Sequence, residues 1–371
     1  MSSRERILEA AVALVHEQGL DRVSMSAVGA RSNVSRGTLY TNFESPDSIL
    51  AEKWLESGEA WLAATTLLAN PEIDPVLNDA FVDVVFCAPR RLELLEVLRP
   101  TFQQAFDASK SHGPAGQVVW SWQAATGLGA LLMQSANMAV DIPLHQFFLA
   151  VVAAASSETL PIDDVHDDVD DAMDVVSNLR GSDVRSQLIR AATVVVANTG
   201  VANASTLRIC RLARLTPGSF PNHFSSLEVL IEESFRVVFE TVIDQNRSEY
   251  IESITSPNRA RSTAKAITNA MRPERELWRK LRREMLVAAR ANSDVRRQVE
   301  SVLNDTDTTL ADSLTQSGYS SDTVSQFLAL NRSLTLGMAM LFELGLPVAN
   351  VNHFGLAKWL EVNFMHLGQS S

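Results

Sequence analysis

The 371-residue chain has only two cysteines, Cys87 and Cys210, far apart and without CxxC spacing. That scarcity excludes a disulfide framework and a cysteine zinc site, and both residues read as small buried side chains. No stretch approaches the roughly 20 apolar residues that span a bilayer, and Met1 to Arg6 lack the apolar core of a secretory signal. A cytoplasmic protein away from the membrane is expected. Positive charge is also short: 32 Lys and Arg stand against 44 Asp and Glu, a net charge of −12. A uniformly acidic surface repels duplex phosphates, so any nucleic-acid binding must be local. H-E-x-x-H pairs, phosphate loops and dinucleotide glycine signatures are missing, and the S-x-x-K spacing of Ser262 and Lys265 stands without companion motifs. No enzyme and no cofactor are expected.

What is present is helical. Apolar residues make up 46% of the chain and recur at helical spacing, with only 16 glycines and 13 prolines to interrupt them. The length exceeds what one core usually supports, so two units are expected. Residues 1–50 align without a gap on 182–231. Nine positions are identical: Arg4/Arg185, Ala10/Ala191, Ala11/Ala192, Val15/Val196, Gly19/Gly200, Ser24/Ser205, Gly37/Gly218, Phe43/Phe224 and Ser45/Ser226. Chance would give about three. Swaps such as Ile7/Leu188, Val28/Ile209 and Val34/Leu215 preserve an apolar stripe. Between the copies, seven aspartates from Asp163 to Asp174 surround His166 without the ligand spacing of a calcium loop, and read as a solvated linker.

In the first copy, Arg4 to Gln18 carries one apolar face and stops at Gly19. Ser24 caps a second helix that ends near Asn33, Ser35 caps a third from Arg36 to Phe43, and Ser45-Pro46-Asp47 opens a fourth. Two short helices joined by a tight turn and braced on both sides form a helix-turn-helix. The run Val34-Ser35-Arg36-Gly37-Thr38-Leu39-Tyr40-Thr41-Asn42-Phe43, with Gly19 and Ser24 ahead of it, resembles the DNA-binding head of the TetR/AcrR family. The resemblance implies that Arg36 and Thr38 face base edges, while Ser24, Ser35, Tyr40 and Asn42 grip phosphates. Gly37 lets the helix lie close to a groove. The chemistry agrees, since arginine donates bidentately to guanine and a tyrosine hydroxyl is an uncharged phosphate donor. Two positions depart from the family pattern: Pro46 stands where a lysine is usual and Asn42 where a histidine is.

The second copy, Leu215-Thr216-Pro217-Gly218-Ser219-Phe220-Pro221-Asn222-His223-Phe224, keeps the cap, glycine and phenylalanine, but Pro221 removes a donor from a short helix. A kink or early break is predicted there. Its charge is more favourable: residues 182–231 sum to +3 and residues 1–50 to −1. Arg208, Arg211 and Arg214 recur every third residue and line one face toward phosphates, with Ser219 and His223 beside them. The alternative is that these arginines solvate a head that no longer reads DNA.

The predicted organisation is all-α, with two tandem units: a head at 1–53, a helical body at 54–157, an acidic linker at 158–181, a second head at 182–234 and a second body at 235–371. The run Thr126 to Leu132 is similar to Leu334 to Met340, and each is followed by a turn proline, Pro143 or Pro347. Their small residues serve either an interface between bodies or packing within one. In the resembled family such bodies dimerise and bind an effector. A small apolar effector is therefore expected, in pockets drawn from Trp61, Phe102, Trp120, Trp122, Met133, Trp278 and Met338. Double-stranded operator DNA is the expected partner, with the two halves as an intramolecular pseudo-dimer, or a homodimer of chains. A rival reading is a helical protein-binding regulator whose heads have lost DNA.

Overall fold

Sixteen α-helices and no strand make up the described part of the chain, which in this computed structural model is residues 1–67, 74–113, 115–138, 144–155, 160–161, 181–255, 259–316 and 320–363. The acidic run from Asp163 to Asp174 lies outside the described residues. The first three helices are set by the caps that the sequence offers. α1 (Ser3–Gln18) begins one residue before its predicted start, because Ser2 and Glu5 close a reciprocal capping box. It stops at Gly19, whose φ of 81° suits glycine. α2 (Met25–Ser32) is capped by Ser24 and ends on Asn33 at φ 51°, and α3 (Arg36–Asn42) is capped by Ser35. α4 (Pro46–Leu67) starts where Ser45 and Ser48 exchange hydrogen bonds, and runs from the head into the body.

The body of the first half comprises α5 (Pro75–Cys87), α6 (Leu92–Ala108), α7 (Gly116–Ser135) and α8 (Leu144–Ala155). Trp54 of α4 stacks on Phe102 and meets Phe81, which makes one core of α4, α5 and α6. In the second half, α9 (Val184–Thr199) and α10 (Thr206–Leu212) repeat α1 and α2 at an offset of 181 residues. A 3-10 helix at Pro217–Asn222 stands where α3 stands, the shortening that Pro221 predicts. α11 (Leu227–Thr255) repeats the start of α4. There follow α12 (Arg259–Met271), α13 (Glu276–Ala291), α14 (Ser293–Gln316), α15 (Ser321–Glu343) and α16 (His353–Asn363). α13 and α14 begin 201 positions after α5 and α6, because α12 is an extra helix with no counterpart among the described residues of the first half.

The halves meet along α7 and α15. Gly129 of α7 is so close to α15 that a Cβ there would clash with the Ser333 carbonyl, and a Cβ on Gly337 of α15 would likewise clash with the Ala125 carbonyl. These contacts are reciprocal: Gly337 follows Gly129, and Ser333 follows Ala125, by the same 208 positions. Gly127 instead abuts the Thr65 carbonyl of α4. The small residues of this run therefore do both jobs, one glycine packing its own half and the next admitting the other half. Trp122 of α7 closes the same seam by donating its indole N–H to Nδ1 of His353 on α16, 3.0 Å away.

Candidate nucleic-acid interface

α1 packs on α2, α3 and α4, and the apolar face of α3 is used up holding it there: Leu39 and Phe43 are buried. The opposite face carries Arg36, Gly37, Tyr40 and Thr41, all exposed, with Thr38 half-buried at its edge. Tyr40 is 49% exposed, unusual for an aromatic side chain, and the Arg36 guanidinium lies over its ring at 5.5 Å. Gly37 has no positive φ, and a Cβ there would meet only Ser35 Oγ at 3.8 Å. Nothing inside the protein requires that glycine, so the constraint points outward.

The remaining residues of this head that the sequence singles out are partly engaged. Ser24 Oγ accepts from the Ala27 amide and lies 3.1 Å from Ser26 Oγ; Ser35 Oγ accepts from the Thr38 amide and lies 2.9 Å from the Thr38 hydroxyl. Asn42 donates to the Thr38 carbonyl and accepts from Arg4 at 3.4 Å. Exposed Thr41, which sequence reasoning passed over, shares the outward face.

Within 182–231 the basic residues are more dispersed than their spacing suggests. Arg208 and Arg211 are exposed on α10, but the helix ends at Leu212, and Arg214 sits past it at φ 59°. The three do not form one helical face, because the turn that Asn33 makes in the first segment falls on Arg214 in the second. Arg208 also donates to the Asn203 carbonyl. Ser219 donates to the Thr216 carbonyl and is half-buried, as is His223, whose own carbonyl accepts from Arg185.

One tether is common to both segments. Arg4 pairs with Glu52 and covers the Phe43 ring at 4.9 Å; Arg185 pairs with Glu233 and covers Phe224 at 4.3 Å. The identical Arg and Phe positions in the repeat thus hold the start of the first helix to the fourth. Glu52 and Glu233 extend the identity just beyond the aligned fifty residues.

Behind the heads lies a buried seam of charge that the sequence gives no sign of. Arg290, near the end of α13, donates two bonds to Asp83 of α5, at 2.8 and 2.6 Å, and two more to the Val15 and His16 carbonyls at the end of α1. Asp83 is fully buried and also accepts from the Leu20 amide. Burial pushes its carboxyl upward against the pull of Arg290. In the opposite sense, Arg90 reaches from the first half to Glu284 of α13 at 3.0 Å, and binds Asp21 as well. Asp83 and Glu284 occupy equivalent places, 201 positions apart. Burial raises the Asp21 carboxyl, but Arg90 and Arg91 outweigh it and hold the group below its usual value.

A cavity of about 90 Å³ opens among α7, α11, α12, α13, α14 and α15. Phe235, Phe239, Trp278 and Leu286 line its apolar side, and Arg275, Arg279, Arg282 and Arg332 its polar side. Of the residues that sequence reasoning nominated for pockets, Met133 and Trp278 line it. The others lie elsewhere: Trp61 and Phe102 are buried around Trp54, Trp120 packs edge-on against Phe106, Trp122 sits at the seam, and Met338 is fully buried on α15. Among the described residues no cluster of three metal-ligating side chains occurs, and no helix is long and apolar enough to cross a membrane. Cys87 and Cys210 are both buried and free.

Comparison with known proteins places this geometry. The profile of "Bacterial regulatory proteins, tetR family" matches residues 7–52, which covers α1, α2, α3 and the start of α4. The "Probable acrEF/envCD operon repressor" of Escherichia coli (strain K12) is 27% identical over 104 residues, 26% of this chain and 47% of the relative; its namesake in Escherichia coli O157:H7 matches equally. The chain spans about half the length of these curated relatives. Residues 7–52 are thus similar to the N-terminal segment of the tetR family of bacterial regulatory proteins.

Proposed function

We propose that the protein is a sequence-specific DNA-binding transcriptional regulator, a repressor released by a small effector, whose two halves act as an intramolecular pseudo-dimer. The observation that carries the DNA-reading part is the outward face of α3, where Arg36, Thr38 and Tyr40 flank a glycine with no internal purpose. Arg36 is suited to guanine and Thr38 to either partner of a pair, while Tyr40 and Ser35 suit phosphate oxygens. The relatives, matched at low identity, are named as probable operon repressors.

The pseudo-dimer reading is supported by the reciprocal contacts of Gly129 and Gly337 and by the opposed pairs Arg290 with Asp83 and Arg90 with Glu284. An isologous interface has this signature: a patch on one half meets its own equivalent on the other. The second head then acts as a clamp, with Arg208, Arg211 and Arg214 exposed to backbone phosphates and only a 3-10 helix in place of α3.

Selection from a random DNA library with the full chain tests this reading. A reproducible, asymmetric motif is expected, lost when Arg36, Thr38 and Tyr40 are replaced together by alanine. Recovery of no motif would overturn DNA reading and favour a helical protein-binding regulator instead.

A further inference from the structure

The outer face of α10 departs from its counterpart in one direction. Leu207, Arg208, Arg211 and Leu212 are all exposed, the leucines 56% and 50%, and they fall within an arc of about 140° on the helix. In the first head the same places on α2 hold Ser26, Ala27, Ala30 and Arg31, and Arg31 pairs with Glu17. Leu212 and Asn198 stand in place of that pair. Arg211 and Arg214 make no ion pair among the described residues. The outward face that is small and polar in one copy is thus leucine and arginine in the other.

Beside this face runs a groove between α9 and the end of α10. Ala191, Val194, Leu212 and Ala213 supply its apolar lining, and Arg190 and Arg214 also line it. A clamp on phosphates uses the arginines but not the leucines, which gain only from an apolar partner. A flat lipid surface meets leucines and arginines but leaves a groove unfilled. An acidic amphipathic helix meets all three, with an apolar ridge for the groove and the leucines and carboxylates for the arginines. Charge selects the same place. Residues 182–231 sum to +3 in a chain of −12, so an acidic partner is repelled by most of the protein and drawn to this head.

We infer that this face of the second head docks an acidic amphipathic helix of another protein, seated on Leu207 and Leu212 and held by Arg208, Arg211 and Arg214. The second head thereby carries a function of its own, which the role of a phosphate clamp does not supply.

The test uses the full chain without DNA and synthetic peptides of about 18 residues, long enough to form a helix. One carries leucines at every third and fourth position with glutamates between them. The second has lysines for the glutamates, and the third has serines for the leucines. Fluorescence anisotropy is expected to give the leucine and glutamate peptide at least about tenfold tighter binding than either control. Leu207→Ser/Leu212→Arg and Arg208→Ala/Arg211→Ala, which install the residues of the first head, are each expected to lose about tenfold or more. All four side chains are exposed, and circular dichroism verifies folding. Equal binding of the serine peptide, equal or tighter binding of the lysine peptide, or unchanged binding in both double variants overturns the docking site. Flotation with phosphatidylglycerol vesicles in place of peptide binding, abolished by Leu207→Ser/Leu212→Arg, would assign the face to a lipid surface and overturns it as well. So does peptide binding that emerges only once the seven aspartates from Asp163 to Asp174 are replaced by serine, since the acidic run of the chain itself would then hold the face. Failure of the DNA selection leaves these measurements untouched, so the two proposals fail separately.

Discussion

A glycine inside a helix costs about 0.5–1 kcal/mol relative to alanine, so Gly37 is a deliberate expense unless something outside the chain needs it. Its Cβ position is open. Gly37→Ala is therefore expected to raise stability by about 0.5–1 kcal/mol and to lower affinity for the selected DNA about tenfold. Thermal unfolding and fluorescence anisotropy on one preparation check both signs; a variant that binds as well as the native chain would remove Gly37 from the interface. Arg214 poses the opposite case. Its φ of 59° is a left-handed conformation that arginine adopts at a cost of about 1 kcal/mol, where the equivalent Asn33 is better suited. Arg214→Gly is expected to unfold at a higher temperature. If Arg214 touches phosphate, the same variant shows a shallower dependence of DNA binding on salt, by about one counterion. A lower unfolding temperature would show that its side chain supports the head more than its backbone strains it.

At the scale of elements, caps were readable because each is a local rule. Ser24, Ser35 and Asn33 act within three or four residues of themselves, and the structure puts α2 and α3 where they indicate. The body was less legible. The insertion of α12 shifts the offset from 181 to 201, so a gapless self-comparison loses the repeat after the start of α11. Aromatic content could not separate cavity from core either, since Trp61 and Phe102 fill space around Trp54 as readily as they would line a void. The arginine seam pairs residues about 200 positions apart, which no local pattern reveals. His353 shows how such long-range contacts set pH behaviour. Its Nδ1 accepts from Trp122 and its Nε2 lies 2.8 Å from the Val348 carbonyl, a pattern that requires the neutral ring. Burial pushes its pKa down from 6.5 to about 4. The unfolded chain then binds the extra proton between those values, so stability falls as pH drops from 6.5 toward 4 and is level below. The drop is about 3 kcal/mol. Denaturant unfolding across pH 7 to 4 is expected to lose this component in His353→Gln, which keeps an acceptor for Trp122 and a donor for Val348. An unchanged pH profile in that variant would assign the loss to other groups.

For the whole molecule, the question is whether one chain is the functional unit. Because α7 and α15 belong to one polypeptide, their contact forms at an effective concentration that no second chain matches at ordinary dilution. The chain is expected to run as a 40.6 kDa monomer in light scattering and to bind the selected duplex one to one. An obligate dimer of chains on a palindrome would refute that. The proposed pairing of the halves makes a sharper demand at Gly129 and Gly337. A Cβ at either meets a carbonyl oxygen of the facing backbone, which cannot move without parting the helices. Gly129→Ala and Gly337→Ala should each cost about 1–3 kcal/mol, the usual penalty for overpacking. Since both act by opening the same contact, the second substitution should add little once the first is made. Under the proposed pairing both should also slow formation of the one-to-one DNA complex, because that reading sets the spacing of the heads by this contact. Two losses that simply add, with DNA binding untouched, would mean that the glycines fit their helices locally and that the halves do not work as a pair.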